Sequence, residues 1–86
     1  MVIVKKYGAE WCSHCKFLSK ELEETPLIRE LESIDVDELE DEDIDKLNIT
    51  TIPVCIIYKD GKEVKRFVNE YTPKDINNYI TENNLW

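Results

Sequence analysis

The chain has 86 residues, 42% of them hydrophobic, which suits one core of the usual domain size of roughly 100–150 residues and leaves no room for a second. Nineteen acidic residues against eleven basic ones give a net charge of -8, so phosphate backbones and anionic lipid surfaces would be repelled rather than bound. Three cysteines make an odd count, which argues against a structural disulfide framework.

No stretch approaches the roughly 18–20 apolar residues of a membrane span. Met1-Val2-Ile3-Val4-Lys5-Lys6 carries its charges after a very short apolar run, the wrong order for a secretory signal. The expectation is a cytoplasmic, monomeric protein of one domain, residues 1–86, with no nucleic-acid or membrane partner.

In chain order, Val2-Ile3-Val4 continued by Lys5-Lys6-Tyr7 reads as a short strand, and Gly8-Ala9 supplies a flexible turn. Trp11-Cys12-Ser13-His14-Cys15 then opens a helix. Between Ser13 and Glu24 the residues Cys15, Phe17, Leu18 and Leu22 recur at helical spacings, with Lys16, Lys20, Glu21 and Glu23 at other positions. Thr25-Pro26 breaks the pattern and predicts a second short helix to about Glu32, or one longer kinked helix. The alternation Ser33-Ile34-Asp35-Val36-Asp37 predicts a half-buried strand.

The acidic run Asp37 to Asp45, anchored by Ile44, Leu47 and Ile49, reads as the solvated start of a short helix on the far side of the sheet. It lacks the mid-loop glycine and spacing of a calcium loop. Thr51-Ile52-Pro53 leads into Val54-Cys55-Ile56-Ile57-Tyr58, apolar enough to be a strand covered on both faces. Lys59-Asp60-Gly61-Lys62 is a hairpin signal, and Glu63 to Val68 follows as an exposed edge strand. Thr72-Pro73-Lys74-Asp75 caps a last helix with Ile76, Tyr79 and Ile80 on its buried face, ending at Asn83-Asn84. The order β-α-β-α-β-β-α predicts an α/β fold: a four-stranded mixed sheet with helices on both faces.

On three stretches, Tyr7-Gly8-Ala9-Glu10-Trp11-Cys12-Ser13-His14-Cys15-Lys16, Thr51-Ile52-Pro53 and Tyr58-Lys59-Asp60-Gly61-Lys62, the chain resembles the thioredoxin-like superfamily over essentially its whole length. It is glutaredoxin-sized, lacking the extra N-terminal strand and helix of conventional thioredoxins. The resemblance implies a cis Ile52-Pro53 bond facing the cysteines and a substrate-binding surface of Trp11, Ile52 and Pro53. It further implies disulfide-containing protein substrates, a reductase or glutathione as electron donor, and no bound cofactor or metal.

Cys12, at the helix start, is the expected nucleophile, because free backbone amides and the helix dipole favour its thiolate. Cys15, one turn on, is the expected resolving thiol. His14 between them is a redox-tuning candidate: a partly charged imidazole stabilises the reduced form and makes the couple more oxidising than a thioredoxin with Gly-Pro there. Lys6 departs from the family, which has a buried aspartate at this position. Its cation either tunes the thiols or snorkels to solvent. Cys55 reads as a buried, inert thiol, with a third redox thiol or a modification site as the alternative. The competing functions are a glutathione-linked glutaredoxin, a zinc module using Cys12, His14, Cys15 and Cys55, and a non-catalytic interaction domain. The chain has no glycine-rich Cys-Asp turn after the last strand, and its charge opposes an anionic tripeptide, so a protein disulfide is the favoured substrate.

Overall fold

The computed structural model describes residues 1–85. Its elements are β1 (Val2–Gly8), α1 (Ser13–Glu24), β2 (Glu30–Asp35), α2 (Asp41–Leu47), β3 (Val54–Lys59), β4 (Lys62–Phe67) and α3 (Pro73–Glu82). The sheet order is β2-β1-β3-β4, with β1 parallel to β2 and the other pairs antiparallel. The expected mixed four-stranded sheet is therefore present.

Alternation along the two central strands divides the core in two. Val2 and Val4 of β1 and Cys55 and Ile57 of β3 pack with Leu18 and Leu22 of α1 and Ile76 and Ile80 of α3. Tyr7 of β1 and Val54 and Ile56 of β3 point to the opposite face, where Ile44 and Leu47 of α2 cover them. Residues 54–57 are all buried, as a strand covered on both sides requires. The helical stripe Cys15-Leu18-Leu22 is the buried face of α1, whereas Phe17, read as part of the same pattern, is 59% exposed.

Local chemistry fixes the turns. Asp60 and Gly61 both adopt positive φ, 52° and 84°, the two-residue hairpin geometry that an Asp-Gly pair tolerates. Thr72 and Asp75 close a reciprocal capping box at the start of α3, with Pro73 in its first turn. Asn48 ends α2 in the left-handed conformation.

One expected element is absent. No second helix runs from Pro26 to Glu32; instead Glu30 begins β2, so the strand expected at Ser33–Asp37 lies earlier, at Glu30–Asp35. Pairing decides this. The free edge of β1 takes six parallel partners from Ile3↔Glu30 to Gly8↔Asp35, and the short loop before them is tied to α3: the Ile28 amide donates to Asn77 Oδ1 at 2.9 Å and Asn77 Nδ2 donates to the Pro26 carbonyl at 3.2 Å. Beyond β2, the Asp35 carboxylate accepts the Asp37 amide at 2.8 Å and turns Val36–Glu38 into a single 3-10 turn, which ends the strand early.

Candidate active site

β1 delivers the chain to its carboxyl end, and the turn Ala9–Trp11 folds back so that the Cys12 amide donates to the Ala9 carbonyl at 3.2 Å. Cys12 thereby becomes the N-cap of α1, with extended backbone at φ −91° and ψ 110°. Its Sγ accepts the Cys15 backbone amide at 3.1 Å, a place usually held by a serine, threonine or aspartate oxygen. A sulfur in that position faces the free amides of the first turn and the positive end of the helix dipole, both of which favour an anion. The Cys12 Sγ also reaches the Ile52 carbonyl, in the loop before β3, at 4.0 Å.

Cys15 lies within the first turn of α1 and is buried, with Sγ against the backbone of Gly8: a Cβ on Gly8 would stand 3.1 Å from it. Burial, followed by the hydrogen bond with Cys12, pushes the Cys15 thiol up to about 11, against smaller opposing pulls from the Ala9 backbone and the Lys6 cation. All three cysteines are free thiols.

Lys6 does not run out to solvent. Its side chain is partly buried and its ammonium donates to Ser19 Oγ at 2.5 Å, on the helix that carries the cysteines. In register it pairs with Ser33 on β2 and Cys55 on β3. Cys55 is fully buried, and the Tyr71 hydroxyl donates to its Sγ at 3.4 Å. Burial raises the Cys55 thiol above its ordinary value, with Tyr71 and Lys6 opposing. His14 is exposed on the first turn of α1.

Trp11 is 69% exposed, and its indole Nε1 donates to Asp37 Oδ2 at 2.8 Å. Together with Ile52, Val36, Ile44 and Ile49 it borders an apolar hollow of about 150 Å³. Ile52-Pro53 is a cis peptide, as the resemblance implies, and Pro53 is buried. Trp11 and Ile52 thus share one surface, while Lys6 is on the Cys15 side. Among the described residues no three His, Cys, Asp or Glu side chains converge as a metal site, so the zinc set Cys12, His14, Cys15 and Cys55 is not brought together.

Three partners of this site carry no signal in the sequence pattern. Asp37 is hidden in an acidic run, Ser19 is an ordinary polar helix position, and Gly8 reads only as turn chemistry.

The thioredoxin family model matches residues 1–82. The chain belongs to the thioredoxin family. It is 35% identical over 71 residues to the thioredoxin of Chlamydia muridarum, covering 78% of this chain and 68% of that protein. To thioredoxin-2 of Saccharomyces cerevisiae it is 33% identical over 85 residues, 95% of this chain and 80% of that protein. In three dimensions it is similar to a mutant thioredoxin from Halobacterium salinarum, with a TM-score of 0.79 at 22% identity over 94% of this chain and 73% of the other. Among the described residues no helix is long and apolar enough to cross a membrane. Thioredoxin-family membership supports thiol–disulfide oxidoreductase activity as the general chemistry of the chain.

Proposed function

We propose that this thioredoxin-family chain is a protein-disulfide oxidoreductase that works through a mixed disulfide on Cys12. The observation that carries the reading is the asymmetry of the pair: Cys12 Sγ accepts a backbone amide at the helix N-terminus, while burial holds Cys15 as a thiol at about 11.

The cycle follows from that asymmetry. Cys12 thiolate attacks one sulfur of a target disulfide, and the target's other sulfur leaves as a thiolate. Cys15 then loses its proton, attacks Cys12 Sγ and expels the second target thiolate, leaving the Cys12–Cys15 bridge. A reductase, or glutathione, returns two electrons. The target segment lies across Trp11, Ile52 and Pro53 and pairs its backbone with Ile52 as an added strand. The negative charge of the chain and its unpaired, buried Cys55 thiol suit a soluble partner and a reducing, cytoplasmic setting.

His14 and Lys6 are the residues that tune the potential in this reading. His14 lies exposed in the first turn of α1, between the two cysteines in sequence, and Lys6, held by Ser19, exerts a minor pull towards the Cys15 thiolate against the larger effect of burial. Both stabilise the reduced form, so the couple lies above thioredoxin, between about -270 and about -180 mV. Equilibration with a glutathione redox buffer, combined with reduction of insulin disulfides, tests this. A potential at or below about -270 mV overturns the tuning by His14 and Lys6. Failure to turn over a protein disulfide overturns the substrate class.

A further inference from the structure

The apolar hollow that Trp11 and Ile52 border is flanked by a run of carboxylates, and the fold itself uses few of their charges. Seven of the nine residues from Asp37 to Asp45 are acidic, Leu39 and Ile44 being the exceptions. The dipole of α2 favours Asp41, Glu42 and Asp43 in its first turn, and Asp37 takes the Trp11 N–H. Glu42 pairs with Lys46 at 3.2 Å, the one ion pair formed by the run among the described residues. Glu40 precedes α2 as its N-cap but makes no side-chain capping bond, and Asp45 stands in the last turn, where the dipole disfavours an anion. Both are exposed. Val36, just before the run, and Ile44, within it, are walls of the hollow, whose volume of about 150 Å³ suits one benzene-sized apolar group. α2 spans seven residues, about 10 Å, so its carboxylates stand within about one Debye length, roughly 8 Å, of Ile44 at its centre. The hollow also adjoins the reacting centre, since Trp11 precedes Cys12 in the chain and the Ile52 carbonyl lies 4.0 Å from Cys12 Sγ.

We propose that the hollow and the acidic face of α2 select basic protein targets, whose reacting cysteine has one aliphatic or phenyl side chain and a lysine or arginine within about three residues of it. The inference rests on the reading of the chain as a protein-disulfide oxidoreductase and names the class of disulfide it takes. An extended segment rises about 3.3 Å per residue and alternates its side chains, so a segment paired with Ile52 turns one side chain into the hollow and offers its neighbours to α2. The apolar group leaves water there, and the target's cations meet carboxylates that have no cation of their own. The charge acts chiefly on encounter, because exposed ion pairs contribute little once formed whereas opposite fields speed association. A second copy of the chain is a poor occupant, since its own net charge is -8.

The test uses peptide homodimers joined by one disulfide and single turnovers of the dithiothreitol-reduced chain. Cys12 bonds to one peptide sulfur and the other peptide leaves as a thiolate; Cys15 then displaces the bound peptide, so the peptide disulfide gains two electrons and the chain is left bridged. Three peptides share one scaffold and carry leucine with lysines, leucine with glutamates, or serine with lysines. Dividing each rate by that with dithiothreitol, an uncharged dithiol, removes the peptide's own reactivity. The leucine-lysine peptide is expected to react about thirtyfold faster than its glutamate counterpart and about fivefold faster than its serine counterpart. In Glu40→Gln/Asp45→Asn the first ratio should fall to about tenfold, whereas Glu23→Gln/Glu24→Gln, which removes the same charge at the far end of α1, should keep it. Equal rates for the lysine and glutamate peptides overturn the selectivity and leave the oxidoreductase reading standing. An equal fall in the two variants overturns the role of α2, and equal rates for the leucine and serine peptides overturn that of the hollow. If no peptide disulfide is reduced, the oxidoreductase reading fails and takes this inference with it. Sedimentation of the chain alone as a dimer that Glu40→Gln/Asp45→Asn strengthens would assign the hollow to a second copy instead.

Discussion

The surroundings of Cys12 and of Cys15, one helical turn apart, differ in their partners although both residues are buried, at 8% and 5% exposure. Cys12 lies just beneath an open surface, where its neighbour Trp11 is 69% exposed and is held to Asp37 by a single hydrogen bond beside the apolar hollow that Ile52 borders. Cys15 belongs to the packed interior, with its sulfur on the Gly8 backbone and the buried Leu18 and Leu22 continuing its stripe along α1. Identical thiols therefore acquire different chemistry from position alone. The N-cap supplies amides to one, and desolvation keeps the proton on the other.

Replacing each sulfur separately breaks this comparison most severely. Cys12→Ser is expected to remove protein-disulfide turnover by several orders of magnitude, because no nucleophile remains on the open surface. Cys15→Ser also ends turnover, yet it should accumulate a covalent complex with the target, since the first attack proceeds and the second cannot. Non-reducing gels after one equivalent of substrate distinguish them. A trapped complex in Cys12→Ser rather than Cys15→Ser reverses the assignment of roles.

The packing difference is tested next, by two neighbours on α1. Leu18 is 1% exposed and Phe17 59% exposed. Leu18→Ala should lose about 2–5 kcal/mol to the cavity it leaves, enough to matter in a chain this small, whereas Phe17→Ala should move stability by less than about 0.5 kcal/mol. Urea unfolding of both variants reads the contrast, and equal losses would show that the helix buries a different face.

How much of this can be seen beforehand depends on the range of the interactions. The hairpin at Asp60-Gly61, the capped start of α3 and the doubly covered strand at Val54 are encoded by neighbouring residues, and each stands where the sequence predicts it. The Cys12-Ser13-His14-Cys15 motif is legible for the same reason, since four residues and a helix start define it. Residues 26–32 mislead because Thr25-Pro26 carries helix-start chemistry while the open edge of β1, which claims Glu30 onwards, is set by pairing across the sheet. Lys6 finds Ser19 thirteen positions away and Trp11 finds Asp37 twenty-six away. No local periodicity reports either bond, so Lys6 reads as a snorkelling side chain and Asp37 as one more solvated acid.

Titration sharpens the contrast between the two thiols. The folded chain holds the Cys15 proton to about pH 11, while an exposed thiol gives it up near the ordinary value of 9.0. The resulting stability is complete below about pH 9 and is lost as pH rises through about 11, on the order of 2 kcal/mol in all. Tyr7, Tyr71 and Cys55 are also shifted upward by burial and add to any alkaline decline, so the informative quantity is a difference. Unfolding midpoints of the reduced chain and of Cys15→Ala, compared between pH 8 and pH 11, should converge as pH rises. Parallel curves would mean that Cys15 does not carry the effect.

The smallest expected effect lies on the open side, because one exposed hydrogen bond organises it. Trp11 Nε1 donates to Asp37 Oδ2 at 2.8 Å, and a bond of this kind contributes about 0.5–1.5 kcal/mol, with solvent competition favouring the low end here. Asp37→Ala releases the indole from its orientation over the Ile52 hollow without touching either sulfur. The KM for a protein disulfide should rise about twofold, the equivalent of roughly 0.5 kcal/mol, with kcat and the redox potential unchanged. Asp37→Asn retains an oxygen acceptor for the indole N–H and removes only the charge, so it should behave like the parent chain. If Asn and Ala variants shift KM alike, the carboxylate acts on the target's charge rather than on Trp11, and the open surface is then held by electrostatics instead of by a fixed ring. A fall in kcat in either variant would tie Asp37 to the chemistry of Cys12 and erase the division between an open binding side and a buried resolving side.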